Sequence, residues 1–252
     1  MSAISGRCVF ITLVAIISLL STIKVSAKKH QINFSQSEVL AHFYESAKEG
    51  QSYYEVELIE LKEKQIIVFH GGFGNPSFKP AKKFLKSIKE GKDIHFYIGR
   101  GLGGSVREHK KFIHGIMDKC KKGRKVTCKV TTYLDGQCSS MCTTLFLYGN
   151  YRIARDDSWA NLGFHKTTME FAGRRIPIQS PSRMARYFSK FDINQDYLEE
   201  NKELIFGVPD NGFYRMIGAE LIESGFAHQL NASLDGTIFS FLRNIHGIQI
   251  EL

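Results

Sequence analysis

The sequence predicts an α/β fold with mainly parallel strands, and three observations carry the prediction. Between about residues 65 and 150, short apolar or β-branched runs alternate with segments of helical periodicity. The runs close on glycine before the next periodic segment begins, as strand-to-helix junctions do. The chain has 252 residues, 43% of them hydrophobic, with no repeat, low-complexity tract or Pro/Ser-rich linker. That composition suits one domain with a full core, from about residue 28 to 252.

Gln65 to His70 (QIIVFH) is a short apolar strand closed by Gly71-Gly72. Ala81 to Glu90 is an amphipathic helix with Phe84, Leu85 and Ile88 on one face. Asp93 to Ile98 is the next strand, ending in Gly99-Arg100-Gly101-Leu102-Gly103-Gly104. Ser105 to Lys119 is a helix, lined on one side by Val106, Phe112, Ile113, Ile116 and Met117. Lys125 to Tyr133 is a β-branched strand that runs through Leu134-Asp135-Gly136-Gln137 into an apolar helix, Ser140 to Tyr148. Trp159 to Phe164 includes a further buried strand. Pro181 to Ile205 is rich in helix formers, with Asp192 and Asn194 as break points, and Tyr214 to Ser224 is a last periodic segment before Gly225.

Residues 1–27 read as a secretory signal. Arg7 supplies the positive start, Cys8 to Ile23 is an uncharged, mostly apolar run of sixteen, and Val25-Ser26-Ala27 offers small residues for cleavage. Sixteen helical residues span roughly 24 Å, short of the ~30 Å hydrocarbon core. An uncleaved N-terminal anchor is the competing interpretation. The expected location is therefore the periplasm or the exterior, with no stable membrane span after cleavage. Without Arg7 and Lys24, the 34 basic residues fall to 32 against 25 acids, a net +7. The bases are spread except for Lys119 to Lys125 (KCKKGRK), which reads as a solvated loop. No aromatic interleaving or nucleic-acid motif accompanies it, so no nucleic-acid partner is expected.

Four cysteines remain in the exported chain: Cys120, Cys128, Cys138 and Cys142. An oxidising compartment permits two disulfides in three pairings. Cys120 and Cys128 bracket a Lys-Lys-Gly-Arg turn and make a reasonable pair. Cys138 and Cys142 suit pairing, a shared helical face or simple packing. With no CxxC, no HExxH and no neighbouring histidine, no metal or cofactor is expected. His109 and His114, five apart on a helix, splay around it.

Candidate chemistry lies at the carboxyl ends of the predicted strands. Gly103-Gly104-Ser105-Val106 is a tight turn whose outward N–H groups suit an oxyanion. Gly136-Gln137-Cys138-Ser139-Ser140-Met141-Cys142 places serines at the start of an apolar helix, where a plain N-cap is the ordinary explanation. His165 follows an apolar stretch, Leu162-Gly163-Phe164. The G-x-S-x-G elbow is absent. Gly71-Gly72-Phe73-Gly74 lacks the remainder of a dinucleotide fingerprint and suits a loop bordering a substrate groove.

Taken together, the Gly-Gly-Ser-Val turn, the Gly-x-x-x-Ser-Met turn and a histidine 25 residues after the serine resemble the Clp protease proteolytic subunit. Gly136 to Cys142, Phe146, Gly149, Arg152 and Leu162 to His165 are similar to exported Clp-protease-like proteins of bacterial envelopes. The resemblance covers residues 65–167 well and 205–230 loosely. It implies a ClpP/crotonase-like spiral of β-β-α units and a serine peptidase-like hydrolase acting on peptide or protein. It implies Ser140 as nucleophile, His165 as general base, and the N–H groups of Gly104 and Met141 as oxyanion hole. Ser139 is the alternative nucleophile, without the following Met or the 25-residue interval. The family's orienting acid has no gapless counterpart: counting back from Gly225 reaches Phe213. Asp210, in a Pro-Asp-Asn-Gly turn, is reached by a small gap; without it His165 acts in a dyad. A homo-oligomer is also implied, and the chain carries no nucleotide-binding signature, so activity is expected without ATP bound to it. The alternatives are a catalytically inactive member kept for binding or assembly, and a crotonase-like acyl-thioester enzyme.

Overall fold

The computed structural model describes residues 55–73, 84–122, 125–166, 168–171, 174–177, 179–208 and 212–248. The signal-like segment 1–27 and Asp210 lie outside them. The described elements are β1 (Glu55–Glu60), β2 (Lys64–Phe73), β3 (Asp93–Gly104), α1 (Val106–Lys119), β4 (Lys121–Lys122), β5 (Lys125–Val126), β6 (Val130–Leu134), β7 (Gln137–Ser139) and α2 (Met141–Leu147). There follow β8 (Tyr151–Arg155), β9 (Asn161–Phe164), the hairpin β10 (Thr168–Phe171) and β11 (Arg174–Pro177), α3 (Pro181–Phe188), α4 (Gln195–Phe206), β12 (Tyr214–Ile217), α5 (Gly218–Glu223) and β13 (Gln229–Asn231). A final helix, α6, begins at Ile238–Ser240 and continues as a π-turn through Phe241–Ile245.

The fold is α/β, with a mostly parallel sheet built on the long strand β3. The first half of β3 pairs in parallel with β6, which pairs with β8, which pairs with β13. Its second half pairs in parallel with β7 at Gly101–Cys138, and β7 pairs with β9. The chain alternates between the two branches: β6 then β7 and a helix, β8 then β9. Strand β12 closes the second branch antiparallel to β9, and β2 flanks β3 on its other edge. The run Gly99–Gly104, expected as a turn after a strand, continues the strand itself, with register shifts against β2.

Alternation along β3 divides the core. Ile94, Phe96 and Ile98 face a cluster with Phe112, Ile113 and Ile116 of α1 and Phe146 of α2. Tyr97 faces a second cluster with Tyr133, Phe241 and Leu242. Helix α1 forms where Ser105 caps the Glu108 N–H at 3.5 Å, and it buries His109, Phe112, Ile113 and Ile116 at helical spacing. Each such phenylalanine or isoleucine contributes roughly 1.5–3 kcal/mol.

Several expectations need correction. Of the helix expected over Ala81–Glu90, only Phe84 and Leu85 are helical among the described residues, and Ser87 turns back to Phe84. The strand expected over Lys125–Tyr133 is interrupted, because Cys128 leaves the sheet to bond Cys120. The basic run between them is a β4–β5 hairpin. The Pro181–Ile205 segment breaks where foreseen, with Asn194 capping α4 through Tyr197 N–H at 3.1 Å. Tyr214–Ser224 is a strand followed by a short helix. No helix among the described residues is long and apolar enough to cross a membrane.

Four histidines, His95, His109, His228 and His246, are expected to make the fold acid-sensitive. Burial holds His109 down at about 3. Burial, reinforced by Lys64, lowers His95 to about 4 against the opposing pull of Asp93, and burial with His95 and Lys64 lowers His246 to about 3. The His95 and His246 rings meet edge-on at 4.7 Å. In the unfolded chain these imidazoles titrate near 6.5. Their contribution to stability is therefore complete above that pH and lost as pH falls toward 4 and 3. Asp135, raised to about 7 by burial, runs the other way, its contribution being lost as pH rises. His228, lowered by desolvation and by Arg152 against the pull of Asp192, acts in the same direction as the other imidazoles. One carboxyl thus opposes four imidazoles, and the denaturation midpoint is expected to fall from pH 6.5 to 4. His246→Phe should flatten that slope in a urea titration; an unchanged slope would remove His246 from the account.

Candidate active site

The carboxyl ends of β3, β7 and β9 meet at one place. Register does the assembling: Ser139 lies opposite Gly163, and the Ser140 N–H donates to Gly163 O at 2.7 Å. The next residues of the two strands are therefore Ser140 and Phe164–His165. Gly163 permits this approach, because a Cβ there would stand 2.5 Å from Ser139 Oγ.

Ser140 sits at the turn from β7 into α2 with φ 57° and ψ −125°. It is the one non-glycine residue with positive φ among the described residues. Its hydroxyl makes no capping bond to α2, unlike the cap hydroxyls of Ser105, Ser180 and Thr237. Instead Ser140 Oγ lies 2.9 Å from His165 Nε2. The N-cap explanation of this serine therefore fails, and the hydroxyl is committed to the imidazole. Positive φ on a non-glycine residue costs about 1–3 kcal/mol, while glycine brings an entropic cost of about 0.5–1 kcal/mol. Ser140→Gly is thus expected to raise stability by about 1 kcal/mol, readable as a higher denaturation midpoint. A lower midpoint would show that the turn is unstrained.

The glycine turn supports the other side. Gly103, with φ +78°, packs so closely that a Cβ would stand 2.7 Å from Ser139 O, 2.7 Å from Ser140 Cβ and 2.9 Å from Met141 N. The structure thus brings Gly103 against Ser140 and Met141. Ser139 is 2% exposed, and its hydroxyl donates at 3.2 Å to the Gln137 side-chain oxygen, which also accepts from Arg215 at 2.7 Å. It is a structural residue of β7, and the alternative nucleophile loses its standing.

The neighbours of His165 come from the chain around Asp210. The Lys166 N–H donates to Val208 O at 2.9 Å, and the Phe213 ring meets His165 edge-on with centroids 5.0 Å apart. Phe213, reached by gapless counting, is a packing partner of His165 and carries no acid group. Pairing of β12 with β9, Tyr214 opposite Phe164, is what puts it there. That contact had no signal in the sequence, since it needs the antiparallel register.

Asp135, in the connection after β6, has a part that the sequence does not show. It is fully buried, accepting from Tyr97 OH at 2.7 Å and Gly236 N–H at 2.9 Å, with Arg155 at 3.7 Å. It ties the β6–β7 connection to the segment before α6. Arg152 of the family-like pattern is a buried knot, donating to carbonyls of Gly149, Asp192, Gly225 and Phe226. Both disulfides form: Cys120–Cys128 and Cys138–Cys142. They fit an oxidising compartment outside the cytosol. His109 is buried on α1, away from the exposed His114. No group of three or more His, Cys, Asp or Glu residues that could hold a metal ion occurs among the described residues.

Compared with known proteins, the sequence matches no family model and no curated protein.

Proposed function

We propose that this chain is an exported serine peptidase-like hydrolase of the ClpP/crotonase-like architecture, acting on peptide or protein. The observation that carries the reading is the 2.9 Å approach of His165 Nε2 to a serine held at positive φ between a strand and a helix. Alternation of the chain between the two branches of the β3 sheet supports a spiral of β-β-α units.

In this reading His165 Nε2 takes the Ser140 proton as Oγ bonds to the scissile carbonyl carbon. The oxyanion is met by the N–H groups of Met141 and Gly104. His165 then gives its proton to the leaving amine as the C–N bond breaks, leaving an acyl ester on Ser140. Water loses a proton to His165 as it bonds to that acyl carbon. The carboxylic acid departs as the C–Oγ bond breaks and Ser140 Oγ takes the proton back. One oxyanion donor is worth about 100- to 1000-fold in rate. Asp210 is the proposed orienting acid. Val208 and Phe213, which flank it in sequence, contact Lys166 and His165, and these contacts support that role.

The direct test is hydrolysis of an unfolded protein substrate by the full chain, exported to an oxidising compartment, without added nucleotide. Cleavage that disappears in Ser140→Ala supports the reading. Absence of cleavage across a broad peptide mixture would leave a fold kept for binding or assembly.

A further inference from the structure

Two cysteines bracket the candidate nucleophile. Cys138 is the middle residue of β7, Cys142 is the second residue of α2, and their bonded sulfurs close a ring that contains Ser139, Ser140 and Met141. The two residues are 0% and 1% exposed, so the bridge lies beneath the turn and is not placed for exchange with large partners. Gly101 of β3 pairs with Cys138, and its lack of a side chain leaves the space that the Cys142 sulfur fills. A crosslink over so few residues constrains the unfolded chain weakly compared with one closing a long loop. What it constrains strongly is the junction itself, where Ser140 occupies a backbone conformation that serine seldom adopts.

We propose that the Cys138–Cys142 disulfide is the positioning device of the nucleophile turn, so that the site is competent only with the bridge closed. The proposal rests on Ser140 being the nucleophile. The closed ring holds the end of β7 and the start of α2 together, which keeps Ser140 Oγ on His165 and Met141 N against Gly103. A dithiol opens it by supplying two electrons and two protons: the S–S bond breaks, Cys138 and Cys142 become thiols, and the reductant leaves as a cyclic disulfide. In a reducing compartment the hydrolase is then idle, and export to an oxidising one switches it on. Misplacement of a reacting group by about 1 Å costs on the order of 100-fold in rate, which sets the scale of the switch.

The test uses the full chain carrying Cys8→Ala, Cys120→Ala and Cys128→Ala, in which Cys138 and Cys142 are the remaining cysteines. It is reduced with dithiothreitol in denaturant, refolded without oxygen, and later reoxidised with glutathione disulfide. Second-order labelling by a fluorophosphonate and amide hydrogen exchange are measured in each state. Labelling is expected to fall about 100-fold on opening and to return on reoxidation. Exchange should rise about tenfold or more at Ser140 and Thr143, whose N–H groups bond to Gly163 O and Ser140 O, and stay unchanged in α1. Cys138→Ala/Cys142→Ala in the otherwise native chain should reproduce the open state if the triple variant does not fold. An open form that labels at the closed rate overturns the proposal, as does exchange that rises evenly through the molecule. If neither state labels, the nucleophile assignment fails instead. Exchange then decides the positioning role alone: a rise confined to the turn supports it, and no rise overturns it.

Discussion

His165→Ala is expected to lower the reactivity of Ser140 by about 10⁴-fold or more, with little loss of stability. A serine hydroxyl is a weak nucleophile until a base accepts its proton, and removing the base of such a pair removes most of what the pair achieves. The imidazole is only partly buried, with the edge of the Phe213 ring against it, so truncation leaves a modest surface gap. His165→Gln keeps much of the volume but cannot accept and return the proton, and should fall equally far. The measurement is the rate of covalent labelling beside a urea denaturation of each variant. A drop of less than about tenfold in a stably folded His165→Ala would mean that the 2.9 Å contact is structural and not catalytic.

Gly103→Ala should damage both stability and reactivity. At φ +78° an L-residue costs about 1–2 kcal/mol. The added methyl would also press on Ser139 O, Ser140 Cβ and Met141 N, the first and last of them backbone atoms that cannot rotate away. Overpacking of this kind costs about 1–3 kcal/mol more, so a total near 3 kcal/mol is expected from denaturation. Relief by moving the turn would shift Ser140 from His165, at a cost of about 100-fold in labelling. Gly91→Ala is the control. Its φ is also positive, +77°, but its nearest neighbour would be Thr127 Oγ1 at 4.0 Å. It should lose stability through strain alone and keep full labelling. Equal effects at both positions would remove Gly103 from the site.

The site was legible in the sequence where it is local and hidden where it depends on pairing. Ser140 and His165 were found through their interval and the surrounding glycines, and β7 and β9 explain that interval by ending at the same level of the sheet. The strand–helix alternation likewise rests on short-range periodicity, which persists in β3, α1, β6 and α2. Boundaries failed where a tertiary tie overrode propensity. Cys128, inside a β-branched run, is drawn out of the sheet by Cys120. Gly99–Gly104 reads as a turn by composition, yet pairing with β2 and β7 extends it as strand. Phe213 beside His165, Asp135 beneath Tyr97 and Arg155, and α6 over Tyr97 and Tyr133 are contacts between distant segments. No local pattern announces them. The cysteine pairs were open among three arrangements, and the burial of Cys138 against Gly101 shows why the second bridge lies under the serine.

In the proposed reading Ser140 is an activated nucleophile. This is tested most directly by covalent labelling of the full, oxidised chain with a fluorophosphonate, with the adduct located by peptide mass spectrometry. The account predicts one adduct on Ser140 in the peptide that carries the Cys138–Cys142 bridge, absent from Ser140→Ala and from His165→Ala. A folded, oxidised chain that takes no adduct, or one whose labelling survives Ser140→Ala, would contradict it.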